Sequence, residues 1–588
     1  MSDTSHLSSK LQSLPIDILT HHLIPQFASP PVHLSQVPTP QAVPDSKPLR
    51  RLASTSKHFR SLIKSQYKTY VQHQYPTVYS HVLSHHSTNL DNINWSSLAL
   101  QSEKLCHRWN HRQFYISKLS TVEASPGRQH DQHPHSRKPS HSYSPYIDVS
   151  ESIDGTETLV IGQGPAIAVR TGEYGVWKEI KRKGMVPGAD DVLSVHIYNP
   201  DTIISTRSSS VEIISNVSGA DDGKPPRIVE VTELFPSGPK NPTGGITSSC
   251  LNPSSSSLAI TASITSSDTH SLQFFNLNTT SPVPSFPKST FFTTPLPSKP
   301  YTSTFLTNTI IATGHRSGIT VHNLTPSSIS DTTIPQPSTS YNHALSVHSL
   351  TRLSSSSAFS PSILASGWSD GITRLLDTRT NTYVAEYENP VSNEFVPIYS
   401  LLHTAPLGNI LMAGSSLHHA VEVHDLRYTG NMVGYFSPFA FDPSSSEQGE
   451  KMSDIVSSGS LLFFDSIAGT RFPTPRRPSG YTRSSGRGTS AIYALSSPSP
   501  SSGKVYIGAE NTVIQMNFRK RNVGREWGLG LSNVEKVRKK EAERGAVFNI
   551  PMYWFDPAKG AGEERGNNGR WWCGGGKAAF KVKERSEG

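Results

Sequence analysis

The chain has 588 residues, of which 34% are apolar and 17% charged, with 41 Gly, 44 Pro and a formal net charge of +9. That length exceeds one ordinary core, so several domains or one large repeat architecture are required, and the richness in small, polar and turn-forming residues suits many short strands. Three cysteines without metal-type spacing, Cys106, Cys250 and Cys573, argue against a disulfide framework and fit a reducing compartment.

The N-terminal MSDTSHLSSK lacks a basic region followed by an apolar run, so no secretory signal is expected. No apolar stretch approaches the ~18 residues of a bilayer span. The expected location is therefore nucleus or cytoplasm, with no membrane partner. The positive charge sits mainly in loops and tails, at Arg476-Arg477, Arg519 to Arg521 and Lys536 to Lys540. It is not interleaved with aromatics as in an RNA-binding strand, so nucleic acid is not an expected partner.

After a polar start at 1–13, LQSLPIDILTHHLIPQF carries Pro15 at a first helical turn, then Ile18, Leu19, Leu23 and Ile24 along one face. A proline-rich stretch, PPVHLSQVPTPQAVPDSKP, interrupts it. PLRRLASTSKHFRSLI then restarts the helical period with Leu49, Leu52, Phe59, Leu62 and Ile63. Periodicity alone predicts an amphipathic helical pair at 14–63. The order Leu14-Pro15-Ile16-Asp17-Ile18-Leu19, then Leu49, Leu52-Ala53, Ser56-Lys57, Phe59-Arg60 and Leu62, resembles the F-box, with a longer connection between its halves. The resemblance implies docking on a Skp-family adaptor, and through it a cullin scaffold, by way of Leu14, Pro15, Ile18, Leu19, Leu49, Leu52, Ser56 and Phe59.

Residues 64–120 are expected to be linker helices. In DNINWSSLALQSEKLCHRWNHRQF, the residues Trp95, Leu98, Ser102, Leu105 and Trp109 follow a 3-4-3-4 spacing and share one helix face, suited to bracing the N-terminal helices against whatever follows. The His- and Pro-rich segment at 121–145 reads as a flexible linker. Its His130, His133, His135 and His141 come without structured companion ligands, so no metal site is expected.

From residue 146 one phrase recurs: an apolar run, a tight turn, a second apolar run. It begins at Leu159, Ile203, Leu258, Ile310, Ile363, Ile410 and Val505. Its clearest copy, ILASGWSDGITRLLDTRT, turns at Asp370-Gly371, a strong hairpin signal. The first six copies lie about 50 residues apart, somewhat above the ~40–45 of a WD-type blade; the last interval is about twice as long and holds a Ser/Pro/Gly-rich insertion at about 437–488. A further short strand precedes several of the hairpins, as expected of four-stranded propeller blades. A β-sandwich seldom repeats one hairpin phrase so regularly.

The stretch ASGWSDGITRLLDTRT resembles the WD-repeat core, with Asp370 at its turn aspartate and Leu376-Asp377 where Trp-Asp is usual; His424-Asp425 and His322-Asn323 end two other copies. No literal Trp-Asp dipeptide occurs. The expected fold is mainly β: a seven-bladed, or eight-bladed, WD-type propeller over 146–520, preceded by a small all-α F-box and linker helices and followed by a basic extension at 521–588. In the WD family the turns inside these hairpins line the channel mouth, which nominates Arg207, Arg316, Trp368 and Ser369 as substrate contacts: the arginines for a carboxylate or phosphate, Trp368 as an apolar anchor.

Catalytic signatures are missing: no G-x-S-x-G elbow, H-E-x-x-H pair or Walker loop occurs, and GGGK at Gly574 lacks its flanking partners. Cys573 in RWWCGGG has no identifiable base. Ser532 to Gly545 reads as a helix with a Ser532/Glu535 capping box, and AVFNIPMYWF after it as a strand pairing with a propeller edge. The expected function is a non-catalytic, cofactor-free substrate receptor of a Skp/cullin/F-box-type ubiquitin ligase, binding a protein that is phosphorylated or not. The alternative is a WD-type scaffold in an RNA-processing or trafficking assembly.

Overall fold

All seven repeated phrases fold into adjacent antiparallel strands, and each pair gains a strand on either side. In the computed structural model, Ile363–Trp368 and Thr373–Asp377 lie between Val347–Arg352 and Thr382–Tyr387. The structure describes most of residues 57–119 and 143–519, apart from short loops and the stretches 427–458 and 464–490, together with Met552–Tyr553.

The described strands form seven sheets, built from residues 146–181, 192–233, 244–295, 300–334, 347–387, 398–463 and 492–517; these are blades one to seven. The first strand of each blade neighbours the first strands of the blades on either side, blade seven returning to blade one. The seven first strands therefore form a closed inner ring. This is a seven-bladed β-propeller.

Stacking explains the sequence grammar. A second strand is covered by neighbouring blades on both faces, so it reads as a continuous run of apolar and small residues rather than an alternation: all six residues of Ile363–Trp368 are buried. The outermost strand has a wet face, and Thr382–Tyr387 alternates exposed and half-buried positions along most of TYVAEY. The glycine in VIGQ, ATGH, ASGW and MAGS has a packing cause. A Cβ on Gly162, Gly314, Gly367 or Gly414 would lie 2.6–2.7 Å from Val192, Val347, Ile398 or Ile492 of the next blade, inside any real contact. At Asp370-Gly371 the turn forms as expected: Gly371 has φ +82°, and Asp370 Oδ1 accepts the Ile372 N–H at 3.1 Å.

The ring closes through a segment expected to be linker helix. Blade seven takes its outer strand from the N-terminal side: Tyr115–Leu119 pairs antiparallel with Thr512–Asn517. Residues 115–119 thus belong to the propeller, not to the linker helices. At the same seam, Lys504 Nζ donates to Glu157 Oε2 at 3.1 Å and Arg170 Nη2 to Glu157 Oε1 at 3.3 Å. The Tyr506 hydroxyl also donates to Glu157. Buried charge is tolerated where it is paired and hydrogen-bonded in this way.

The expected insertion also contains structure, because Gly459–Phe463 is the fourth strand of blade six. Its outer edge pairs with Met552–Tyr553, within AVFNIPMYWF. The long last interval before Val505 therefore holds the end of blade six and the first strand of blade seven, and no eighth sheet appears among the described residues.

Three helices precede the ring: α1 (Lys57–Gln74), α2 (Pro76–His85) and α3 (Trp95–Asn110). The boundary expected at residue 63 falls inside α1. Along α3, Trp95, Ser102, Leu105 and Trp109 are buried and Leu98 is half-buried, so the predicted face is the packed one. Trp109 stacks on Phe518 with ring centroids 3.6 Å apart, and Leu105 and Trp109 join the core between blades six and seven. Arg108 Nη1 donates to the Phe518 carbonyl at 2.7 Å, and Thr77 Oγ1 to the Pro406 carbonyl at 2.5 Å. These partners all lie where first strands turn into second strands or where third strands end. The helices are fixed to that end of the ring. Among the described residues no helix is long and apolar enough to cross a membrane.

Candidate functional site at the rim of the ring

The opposite end carries the tight turns between second and third strands and the entries into the first strands. Sequence reading nominated four residues here, and the structure divides them by one position of register. The last residue of a second strand is buried between blades; the residue after it reaches the rim. Arg207 ends its strand and is 2% exposed, with Nε donating to Glu212 Oε1 at 3.0 Å and Nη1 to the Asp190 carbonyl at 2.6 Å. Trp368 occupies the same place in blade five and is fully buried. Its Nε1 donates to Ser366 Oγ at 2.9 Å, and the Arg374 guanidinium lies 5.3 Å from its ring centroid. Neither is a rim contact: in a strand covered on both faces, every side chain goes inside, including a charged one that finds a carboxylate.

Arg316 and Ser369, each one residue further on, do lie at the rim. Ser369 is half-buried and fixes its own turn: its N–H donates to the Ser346 carbonyl at 2.8 Å, and its Oγ accepts the Ser346 N–H at 3.0 Å. Arg316 is exposed, as is Lys299, and the Arg316 N–H donates to the Lys299 carbonyl at 3.2 Å. Two cations thus stand side by side with no carboxylate paired to either among the described residues. Their backbone is held on both flanks. Gln336 Nε2 donates to the Arg316 carbonyl at 2.8 Å and the Leu345 carbonyl at 2.7 Å. Ser298 Oγ accepts the Ser317 N–H at 3.1 Å. The equivalent residues are Ser346 and Ser369 in blade five and Pro397 and Ser416 in blade six, so neither of the next two blades carries such a cationic pair.

Beside it runs a row of rings that sequence reading did not single out. Near its start, the first strand of blades four to seven has an irregularity that leaves one residue outside the pairing register: Tyr301, His348, Tyr399 and Tyr493. Tyr301 and His348 are 4.8 Å apart, His348 and Tyr399 5.4 Å, and Tyr399 and Tyr493 6.1 Å, centroid to centroid. Lys299 Nζ lies 5.7 Å from the Tyr301 centroid, a cation–π contact. Tyr399 is 37% exposed and the other three rings are half-buried. Burial holds His348 below the usual imidazole range, which favours its neutral ring. Its sequence signal is a repeated triplet: PYT, VHS, IYS and IYA at 300–302, 347–349, 398–400 and 492–494.

The adaptor-contact residues Leu14, Pro15, Ile18, Leu19, Leu49, Leu52 and Ser56 lie outside the described residues, as do the side chain of Phe59, the His130–His141 group, the expected helix from Ser532 and Cys573. Cys106 and Cys250 are buried free thiols, and burial pushes Cys250 up to about 12. Among the described residues no three His, Cys, Asp or Glu side chains cluster to hold a metal ion.

No family model matches the chain, and no curated protein matches it. Among solved structures it is similar to the crystal structure of Chaetomium thermophilum Sqt1 bound to the N-terminus of the ribosomal protein L10. The identity is 14% and the TM-score 0.38, over 63% of this chain and 82% of that one.

Proposed function

We propose that this chain is a non-catalytic substrate receptor of a Skp/cullin/F-box-type ubiquitin ligase, acting in the nucleus or cytoplasm. The F-box-like segment docks the adaptor and the rim of the propeller holds a protein substrate. The observation that carries this reading is the division of the ring into two ends. Helix α1 begins within the F-box-like residues and packs with α2 and α3, which contact one end of the ring, while Lys299, Arg316 and Tyr399 are exposed at the other. A receptor must engage its adaptor and its substrate at once, and separate ends let it do so.

The cationic corner supplies the charge chemistry. Arg316 offers a planar donor fork and Lys299 a point charge, suited to a carboxylate or a phosphate on the substrate. Catalysis resides in the partner subunits, and this chain contributes proximity. The test is adaptor co-purification with the full chain. Capture is expected for the unaltered protein and its loss for Leu14→Ala/Pro15→Ala. No capture by the unaltered chain would overturn the ligase reading and favour a propeller scaffold in another assembly.

A further inference from the structure

The row Tyr301, His348, Tyr399 and Tyr493 has no work assigned to it by the packing of the ring. These side chains sit on the inner strands near the rim end, make ring contacts with one another, and remain partly open to solvent. No hydrogen-bond partner for the hydroxyls of Tyr301, Tyr399 and Tyr493 is found among the described residues. Such a surface combines flat apolar faces with uncommitted donors at their edges.

Several ligand chemistries compete for an aromatic surface. A cationic side chain is disfavoured, because Lys299 already lies against Tyr301, Arg316 stands beside Lys299, and no carboxylate is paired with any of the four rings among the described residues. A ligand ring inserted between Tyr399 and Tyr493 is disfavoured too: these planes are 15° from parallel with centroids 6.1 Å apart, the separation of rings already offset-stacked on each other. What remains is an extended segment laid across the row. Polyproline II suits it, since proline rings pack on aromatic faces, and the helix makes no internal hydrogen bonds, leaving its carbonyls free to accept. The tyrosine hydroxyls are the matching donors.

From this we infer that the tyrosine row is a subsite for a proline-containing, polyproline II segment of the bound protein, with an acidic or phosphorylated residue of the same segment at Lys299 and Arg316. The inference rests on the reading of the rim as a protein-binding surface and adds the class of segment it takes. The cationic corner at one end of the row sets the direction in which the segment lies.

The experiment is selection of peptides from an unbiased random library on the immobilised full chain, with and without kinase treatment of the library. Enrichment of proline near Asp, Glu or a phosphorylated residue is expected. Tyr399→Ala should cut capture at least tenfold. Tyr399→Phe, which keeps the ring and removes one donor, should cut it about two- to tenfold, the effect of one hydrogen bond. Arg227→Glu, an exposed charge at the start of a fourth strand, at the end of the ring where the helices pack, should change nothing, and thermal melting checks that each variant folds. Enriched peptides without proline, or capture indifferent to Tyr399→Ala, would overturn the subsite. If Lys299→Glu/Arg316→Glu still abolished capture in those cases, the protein-binding reading would stand. No enrichment of any peptide would overturn the subsite and the protein-binding role of the rim together. Adaptor capture on the same preparation reports separately on the ligase reading.

Discussion

Replacing Arg207 with alanine separates a buried structural arginine from a rim contact. The side chain is 2% exposed, and Glu212, its partner at 3.0 Å, is fully buried. Once Arg207 is gone, Glu212 keeps only the Ser205 hydroxyl at 3.1 Å and a distant Arg182 at 3.7 Å, itself 39% exposed. The Asp190 carbonyl also loses its donor. A carboxylate left buried without its counter-charge costs about 3–5 kcal/mol, whereas replacing both members of such a pair by apolar residues of similar volume is often neutral. Arg207→Ala should therefore lower stability by about 3–5 kcal/mol, and Arg207→Met/Glu212→Leu should recover most of it. The assay is urea denaturation followed by circular dichroism, read as a shift in midpoint at constant slope. A loss below about 1 kcal/mol, the range of an exposed pair, would refute the buried-pair reasoning.

Gly367→Ala should destabilise by about 1–3 kcal/mol, because its Cβ would sit 2.4 Å from Ser349 Oγ and 2.6 Å from Ile398 Cγ2; the same denaturation assay checks it. Trp109→Ala should cost about 3–5 kcal/mol and expose the link between α3 and blade seven to limited proteolysis. Phe518→Leu in that background should add little, since contacting residues are not additive. Stability should fall as the pH drops from about 6.5 toward 4. Burial holds His196, His315 and His403 at about 4 in the folded state, so below the ordinary imidazole value near 6.5 the unfolded chain binds more protons. Asp148, pushed by burial to about 6, acts in the opposite sense between pH 6 and 4. His322 and His348, also lowered by burial, act in the same sense as the other histidines, so at least two net protons remain, or roughly 3 kcal/mol per pH unit. Urea midpoints that stay flat or rise over that interval would contradict the assignment.

The hairpins were legible because the second and third strands of a blade are covered on both faces, which writes continuous apolar runs around a turn such as Asp370-Gly371. The packed face of α3 was legible because five residues from Trp95 to Trp109 keep helical spacing. The closing strand was not. YISKL is short, and its partner Thr512–Asn517 lies at the far end of the chain, a pairing that no local pattern encodes. At the rim, a difference of one residue separates Arg207 from Ser208 and Trp368 from Ser369, and register decides which side chain is buried. The nomination of Arg316 and Ser369 for the rim survives that register, while Arg207 and Trp368 become core. The row of rings was written in the repeated triplets that open the first strands of blades four to seven, but single aromatic residues there resemble ordinary strand positions until the inner ring brings them together.

On the proposed function, the F-box-like end engages the adaptor while the opposite rim of the ring holds a protein. The direct measurement is a bridging assay, in which immobilised adaptor is incubated with the full chain and a labelled, rim-selected peptide. Peptide should be retained only when the chain is present. Lys299→Glu/Arg316→Glu should release the peptide and leave the chain on the adaptor; Leu14→Ala/Pro15→Ala should release both. Peptide and adaptor that displace each other from the chain, or a chain that never binds the adaptor, would contradict it.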